Sequence, residues 1–244
     1  HFGELMWANR AKVNPAHRFY ENTGIKKDSN IFSKVDFSID KKWSLYADLQ
    51  LRWIDYEVSG EVAGPDSFGV NDAYTFFNPK AGLLYKPNAD NQFYISYAKA
   101  HREPNRTDYE NGSPVPEELD DVELGWRWKA SDAYLNANIY FMRYKNQLVL
   151  TGAIDDVGAP IRTNSGDSYR RGIELEGGWN IYSNLNWQAN LTWSKNRNRN
   201  KYFKRDDVLQ SLGDTHLAYS PSMVAAQQLT YASDNWSVSF VSKY

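Results

Sequence analysis

Trp43-Ser44-Leu45-Tyr46-Ala47-Asp48-Leu49-Gln50-Leu51-Arg52-Trp53 is the stretch on which the fold turns. Its odd positions are apolar, and its even positions, Ser44, Tyr46, Asp48, Gln50 and Arg52, carry polar groups. Successive side chains of a β-strand point to opposite faces, so the stretch predicts a strand with one apolar and one polar face. The pattern returns along the chain. In residues 135–141, Leu135, Ala137, Ile139 and Phe141 oppose Asn136, Asn138 and Tyr140. In residues 169–181, Ile173, Leu175 and Trp179 oppose Arg170, Glu174, Glu176 and Asn180; in residues 185–193, Leu185, Trp187, Leu191 and Trp193 oppose Asn186, Gln188, Asn190 and Thr192.

Strand length tells where the apolar face goes. A soluble sandwich also alternates, but its strands have a mode near five or six residues. These segments run for about ten residues or more, which is what a tilted strand needs to cross an outer membrane. The connections alternate too. Short turns at 40–42, 87–91, 130–132, 182–184 and 232–235 are separated by long polar segments at 59–75, 103–118, 151–167 and 196–220. Short and long connections in turn are the mark of an up-and-down barrel, with one rim in the periplasm and the other outside. The expected fold is therefore all-β, an antiparallel up-and-down transmembrane β-barrel. About ten strands are predicted, at 28–39, 43–57, 76–86, 92–102, 119–129, 133–149, 168–181, 185–197, 221–231 and 236–244. Residues 1–27 read as loop, and the last strand lacks a closing partner with a terminal aromatic. The expectation is that 1–244 forms part of a single larger barrel domain, with an N-terminal plug and the final strands outside it. Strands 28–39 and 236–244 should then not pair. Leu45, Leu49, Trp53, Leu135, Ile139, Leu191 and Trp193 should face lipid, and Asp48, Gln50, Asn136, Asn138 and Asn190 the lumen.

Composition agrees and excludes. No run of 18 apolar residues occurs, so no transmembrane helix is expected. A negative mean hydropathy does not count against a barrel, because only every second strand residue meets lipid. Aromatics make up 15% of the chain, which suits rings at a water–lipid boundary, although a carbohydrate-binding domain could carry as many. The absence of cysteine removes disulfide scaffolds, thiol catalysis and cysteine zinc sites. A net charge of −2 gives no reason to expect nucleic acid.

No P-loop, G-x-G-x-x-G, H-E-x-x-H or G-x-S-x-G is present, and neither an enzyme nor a cofactor is expected. A rim pair such as His101 with Asp108 is the one catalytic constellation to weigh, against the commoner reading of solvated loop groups. Asp155-Asp156 offers too few oxygens to argue calcium. The richer signal lies in two long connections. Arg102, Arg106 and Tyr109 follow His101, and Arg197, Arg199, Lys201, Tyr202, Phe203, Lys204 and Arg205 lie in the connection after the eighth predicted strand. Cations interleaved with rings suit an anionic or catecholate-like ligand, through charge-assisted hydrogen bonds and stacking. The plainer reading is contact with lipopolysaccharide phosphates or water. Arg170, Glu174 and Glu176 read as structural lumen charges.

Three segments resemble the TonB-dependent receptor family: Asn78-Pro79-Lys80-Ala81-Gly82-Leu83, then Pro116-Glu117-Glu118 running to Val122-Glu123-Leu124-Gly125, then Arg171-Gly172-Ile173-Glu174-Leu175-Glu176. They stand in the family's order and with their flanks cover most of residues 70–200. The resemblance implies a 22-stranded barrel plugged by an N-terminal domain. It also implies a Gram-negative outer-membrane location, a TonB complex contacting the missing N-terminal part, and energised uptake of a scarce bulky nutrient. A ferric siderophore is foremost among such nutrients, with haem and cobalamin as other cargoes. Lipid, lipopolysaccharide and a metal chelate are the partners expected. The alternatives are a passive channel or porin and, further off, a barrel-rim hydrolase.

Overall fold

The strands of the main sheet pair edge to edge in chain order, as one antiparallel meander. The computed structural model describes residues 2–4, 18–61, 67–110, 112–154, 158, 160–164, 166–205 and 208–244. In chain order the elements are β1 (Phe2–Glu4), β2 (Arg18–Ser38), β3 (Trp43–Glu61), β4 (Ser67–Tyr85), β5 (Asn91–Arg102), α1 (Arg106–Glu110), β6 (Glu117–Lys129) and β7 (Ala133–Lys145). They continue as β8 (Leu148–Ile154), β9 (Pro160–Asn164), β10 (Ser168–Tyr182), β11 (Leu185–Arg205), β12 (Val208–His216), β13 (Met223–Ala232) and β14 (Ser237–Lys243). A 12-stranded sheet runs β1-β2-β3-β4-β5-β6-β7-β10-β11-β13-β14, with β12 paired to the far part of β11. β8 and β9 form a separate hairpin. Among the described residues no ladder joins β2 to β14.

The short turns share one rim, and backbone hydrogen bonds tie them together. The amide of Lys86 donates to the carbonyl of Lys42 at 2.7 Å, Lys129 to Asp90 at 2.9 Å, Asn180 to Asp132 at 2.7 Å and Ala232 to Asn184 at 2.9 Å. Side-chain carboxylates and amides shape the turns. Asp40 Oδ1 accepts from the amides of Lys42 and Trp43 at 2.7 and 2.8 Å, and Asn88 Oδ1 does the same for Asp90 and Asn91 at 3.1 and 2.9 Å.

Register puts the predicted lipid and lumen residues on opposite faces. One face carries the row Ala137–Leu175–Leu191 and beside it Ile139–Ile173–Trp193. Its side chains lie open: Trp193 is 64% exposed, Ile139 52% and Leu49 45%. A contiguous apolar band this wide is untenable against water and calls for lipid. Along the short-turn rim the same face carries a girdle of rings. Trp43 stacks on Tyr85 with centroids 4.3 Å apart, Tyr85 on Phe93 at 6.4 Å and Phe93 on Trp126 at 6.2 Å, and Trp126 Nε1 donates to Asn91 Oδ1 at 2.9 Å. Rings with one apolar and one hydrogen-bonded side belong at a membrane interface.

The inner face is polar. Asn136, Asn138, Glu174, Glu176 and Asn190 line a crevice of about 410 Å³. Several glycines on this face lie opposite a tyrosine in the ladder: Tyr46 with Gly82, Tyr94 with Gly125, Tyr140 with Gly172 and Tyr134 with Gly178. In each pair the ring lies over the glycine so closely that a Cβ there would collide with it.

The long connections differ from the sequence reading. β2 begins at Arg18, not at 28, and its first residues pair with the end of β3, as Glu21 does with Glu61. Segments 59–75 and 196–220 are largely strand rather than loop, and the predicted ten strands are extended by β1, β12 and the β8–β9 hairpin. Alternation is lost beyond the membrane because both faces of a strand then meet polar surroundings, yet backbone pairing continues without it. The acidic pair Asp155-Asp156 lies outside the described residues.

One connection folds inward. The β4–β5 ladder ends at Lys80↔Ala98, next to Pro79, which has no amide to donate. Beyond it β4 stays paired with β3 as far as Ser67, and the segment 103–110 occupies the inner side of these strands. The most buried apolar side chains, Ile54, Val58 and Phe76, gather in this upper region.

Candidate functional site

Arg52 is the centre of the inward fold. It stands mid-strand on the polar face of β3, where alternation alone places it. Its guanidinium grips Asp28 of β2 in a fork, Nε to Oδ1 at 2.9 Å and Nη2 to Oδ2 at 2.5 Å. The same group donates to Glu103, Nη1 to Oε2 and Nη2 to Oε1, both at 3.0 Å. Lys26 Nζ adds a contact to Glu103 at 2.5 Å. Two cations thus meet two carboxylates, and the bidentate geometry fixes the loop residue Glu103 against the wall. Burial opposes charge on Glu103, but hydrogen bonds from Lys26 and Arg52 overcome it and hold the carboxyl below its ordinary range.

Tyr109 is the second anchor. Its hydroxyl donates to Asp72 Oδ2 at 2.6 Å and contacts the hydroxyl of Tyr74, while its ring stacks on Tyr56 at 5.6 Å. Burial and the neighbouring Asp72 carboxylate push its phenol well up, so it stays neutral and keeps the proton it donates to Asp72. Asp108 of the same helix pairs with Arg162 of β9 at 3.1 Å, and Asn164 Oδ1 accepts from the amide of Val115 at 2.9 Å. The 103–116 connection and the β8–β9 hairpin are therefore joined into one cap over the inner wall.

The structure distributes the sequence-predicted site residues unequally. Arg106 and Tyr109 share α1, inside the cap. Arg102 is the last residue of β5 and pairs with Glu117 Oε2 at 2.8 Å. Arg199, Lys201 and Tyr202 are not loop residues; they lie on the extension of β11 that pairs with β12. Arg199 has its guanidinium over the ring of Tyr169, 5.5 Å from the centroid, on the outward parity. The side chains of Lys201 and Tyr202 lie outside the described residues. His101 and Asp108 take different partners: His101 Nδ1 lies 2.9 Å from Asn78 Oδ1 and its ring stacks on Phe76 at 5.1 Å. Among the described residues no cluster of three or more His, Asp or Glu could hold a metal ion.

The residues that sequence reading missed are Lys26, Asp28, Arg52, Asp72 and Glu103. A usable signal was present in part. Asp28 and Arg52 fall on the polar parity of adjacent strands, so any correct register brings them within a diagonal of each other. The arrival of Glu103 depends on how the connection folds, and no periodicity encodes that.

An apolar outer band edged with rings, a polar inner face, short turns on one rim and an inward-folded cap on the other define the wall of a transmembrane β-barrel. The chain belongs to the TonB-dependent receptor family: residues 7–244 match the family described as TonB dependent receptor-like, beta-barrel. It is 29% identical over 154 residues to the probable TonB-dependent receptor BfrD of Bordetella pertussis, covering 57% of this chain and 20% of that one. It is 24% identical over 170 residues to the probable TonB-dependent siderophore receptor PiuA of Acinetobacter baumannii, covering 64% of this chain and 23% of that one. The crystal structure of PiuA superposes with a TM-score of 0.65 at 21% identity over 86% of this chain and 32% of that one. The ferric-catecholate import receptor Fiu of E. coli superposes at 0.68 and 19% identity, over 95% of this chain and 36% of that one. The chain spans about a fifth of the length of these curated relatives and about a third of the solved structures. The family is one of transport receptors of the outer membrane.

Proposed function

We propose that the chain forms part of the wall of a Gram-negative outer-membrane receptor that takes up a ferric siderophore with energy from TonB. The observation that carries this is the cap. An α1 segment bearing Arg106 and Tyr109 is held on the lumenal side by Glu103 and Asp72, at the rim opposite the short turns, where a cargo arriving from outside first meets the barrel. Cations and phenols there suit an anionic aromatic chelate, so a catecholate is the preferred class, ahead of haem and cobalamin. Arg102, Arg106, Tyr109, Arg199, Lys201 and Tyr202 remain the contact candidates. The protein is read as non-catalytic. Among the described residues both edges of the sheet are unpaired along most of β2 and β14, and bare edges in lipid leave backbone groups unsatisfied at several kcal/mol each. Further strands of a barrel of about 22 would cover them, with a plug inside and TonB reached through it.

The test is uptake of iron-55 by cells that express the full-length receptor and lack their own. Accumulation from a ferric catecholate that disappears in a strain without TonB is expected. Equal accumulation with and without TonB would replace the receptor with a passive channel.

A further inference from the structure

The inner wall carries a positive seat that exists without the connection filling it. Lys26, Asp28 and Arg52 all stand on β2 and β3, whose ladder runs unbroken from Glu21↔Glu61 to Ser38↔Ser44. That ladder fixes the three side chains at their roots whatever the connections do. Lys26 Nζ lies 3.6 Å from Asp28, and Asp28 takes the Nε edge of Arg52. Among the described residues these three groups have no ion-pair partner outside their own set except Glu103. Two cations against one carboxylate leave a single excess positive charge on the wall. Rings stand beside it on the lumenal parity: Phe76 of β4 faces Arg52 across the ladder, and Tyr74 faces Ile54 one row further out.

Glu103 supplies the missing negative charge, and it comes from outside the wall. It follows the last residue of β5 and precedes Pro104, which disfavours a helical turn at Glu103, so α1 starts only beyond it. The start of α1 closes on itself. The amide of Asn105 donates to Asp108 Oδ2 at 2.9 Å, and the amide of Asp108 to Asn105 Oδ1 at 3.1 Å. Arg162 on Asp108 and Asn164 on Val115 then tie the connection to the β8–β9 hairpin by contacts independent of Arg52. Lifting Glu103 and the Tyr109 hydroxyl off the wall breaks none of these bonds within the cap.

We infer that Glu103 is an internal stand-in for the cargo: its carboxylate fills the Arg52–Lys26 seat at rest, and an anionic chelate binds there by displacing it and releasing the cap. A carboxylate and the paired oxygens of an anionic chelate ask the same of a guanidinium, two parallel N–H donors. A chelate with several negative charges gains more from the two cations than one carboxylate does. Because Glu103 is tethered, it competes at a high effective concentration, and the seat filters cargo by charge. A seat open about a tenth of the time lowers the apparent affinity of its ligand about tenfold. The inference rests on the receptor reading and adds Arg52 and Lys26 to the cargo contacts.

The experiment follows tryptophan fluorescence of the full-length receptor in detergent. The probes are an anionic ferric tris-catecholate and, separately, an uncharged ferric trihydroxamate. Glu103→Ala should tighten binding of the tris-catecholate about tenfold and leave the hydroxamate unchanged. Arg52→Met should weaken the tris-catecholate at least about tenfold, and adding Glu103→Ala to it should restore nothing. Asn164→Ala loosens the cap without emptying the seat and should give no gain. Saturating the wild type with tris-catecholate should speed amide exchange in residues 103–110, the opposite of a lid that closes on its ligand. Heat-modified mobility on a gel shows that each variant is folded. Unchanged or weaker binding by Glu103→Ala, an equal gain from Asn164→Ala, or slower exchange on saturation overturns the inference and leaves the receptor reading standing. A wild type that binds neither chelate overturns both.

Discussion

The wall treats cations in opposite ways on its two faces. On the inner face Arg52 and Lys26 meet Asp28 and Glu103, and the charges cancel within a few ångströms. On the outer face Arg171, Lys195 and Arg197 stand together, and among the described residues no carboxylate lies within ion-pair distance of them. The first arrangement spends its charge on holding a connection in place. The second leaves its charge available for something that is not part of the chain. The contrast between the two faces can be tested one residue at a time.

The harshest test is of the faces themselves. Leu191→Arg places a cation on the outer band, and unfolding by urea in lipid vesicles should show a loss of about 2–4 kcal/mol. Asn190→Arg, one residue away and facing the lumen, should change stability by less than about 1 kcal/mol. Equal costs would mean that the faces are wrongly assigned. Next comes the inner cluster. Arg52→Met removes the bidentate hold on Glu103 and leaves it with Lys26 alone, and the cap should loosen by about 1–3 kcal/mol, read as faster amide exchange in residues 103–110. Arg197→Met on the outer face should leave global unfolding within about 0.5 kcal/mol, because it breaks no pair. Smaller again is the removal of one hydrogen bond: Tyr109→Phe should cost about 1 kcal/mol in the same exchange experiment.

The last effect appears only in acid. The carboxyl of Glu103 is held below its ordinary value in the folded protein, so its contribution is complete above the ordinary carboxylate range. It is lost as pH falls from that range, near 4.5, through the lowered value. Protease nicking of 103–116 should rise over that interval, and Glu103→Gln should flatten the dependence. A rise that survives Glu103→Gln would assign the acid response to another group.

Most of the wall was legible because lipid imposes a rule on every second residue. Trp43 to Trp53 and Leu185 to Trp193 follow it, and their strands fall where alternation puts them. Past the membrane the rule lapses. Residues 18–27 and 199–205 look like loop because both faces are polar, yet their amides still pair with the neighbouring strand. The candidate site was half legible. Arg106 and Tyr109 were picked out for their chemistry, and both lie in the cap. Glu103, Asp72 and Arg52 went unseen because they are brought together by an inward fold rather than by spacing. The outer cations were in view as residue types, but their meaning depended on the register that aligns Arg171 with Lys195.

The tyrosine–glycine pairs of the inner face bear on how such a wall assembles at all. A slip of one residue between strands would throw every apolar side chain to the wrong side, and lipid would reject it. A slip of two preserves inside and outside, so hydrophobicity is blind to it. Tyr46, Tyr94, Tyr140 and Tyr134 are not blind, because each ring fits only over a position without a side chain, at Gly82, Gly125, Gly172 and Gly178. Shifted by two, Tyr46 would meet Lys80 or Leu84 in place of its notch. The pairs act as keys cut at intervals along the sheet, proofreading the one error that greasiness cannot detect.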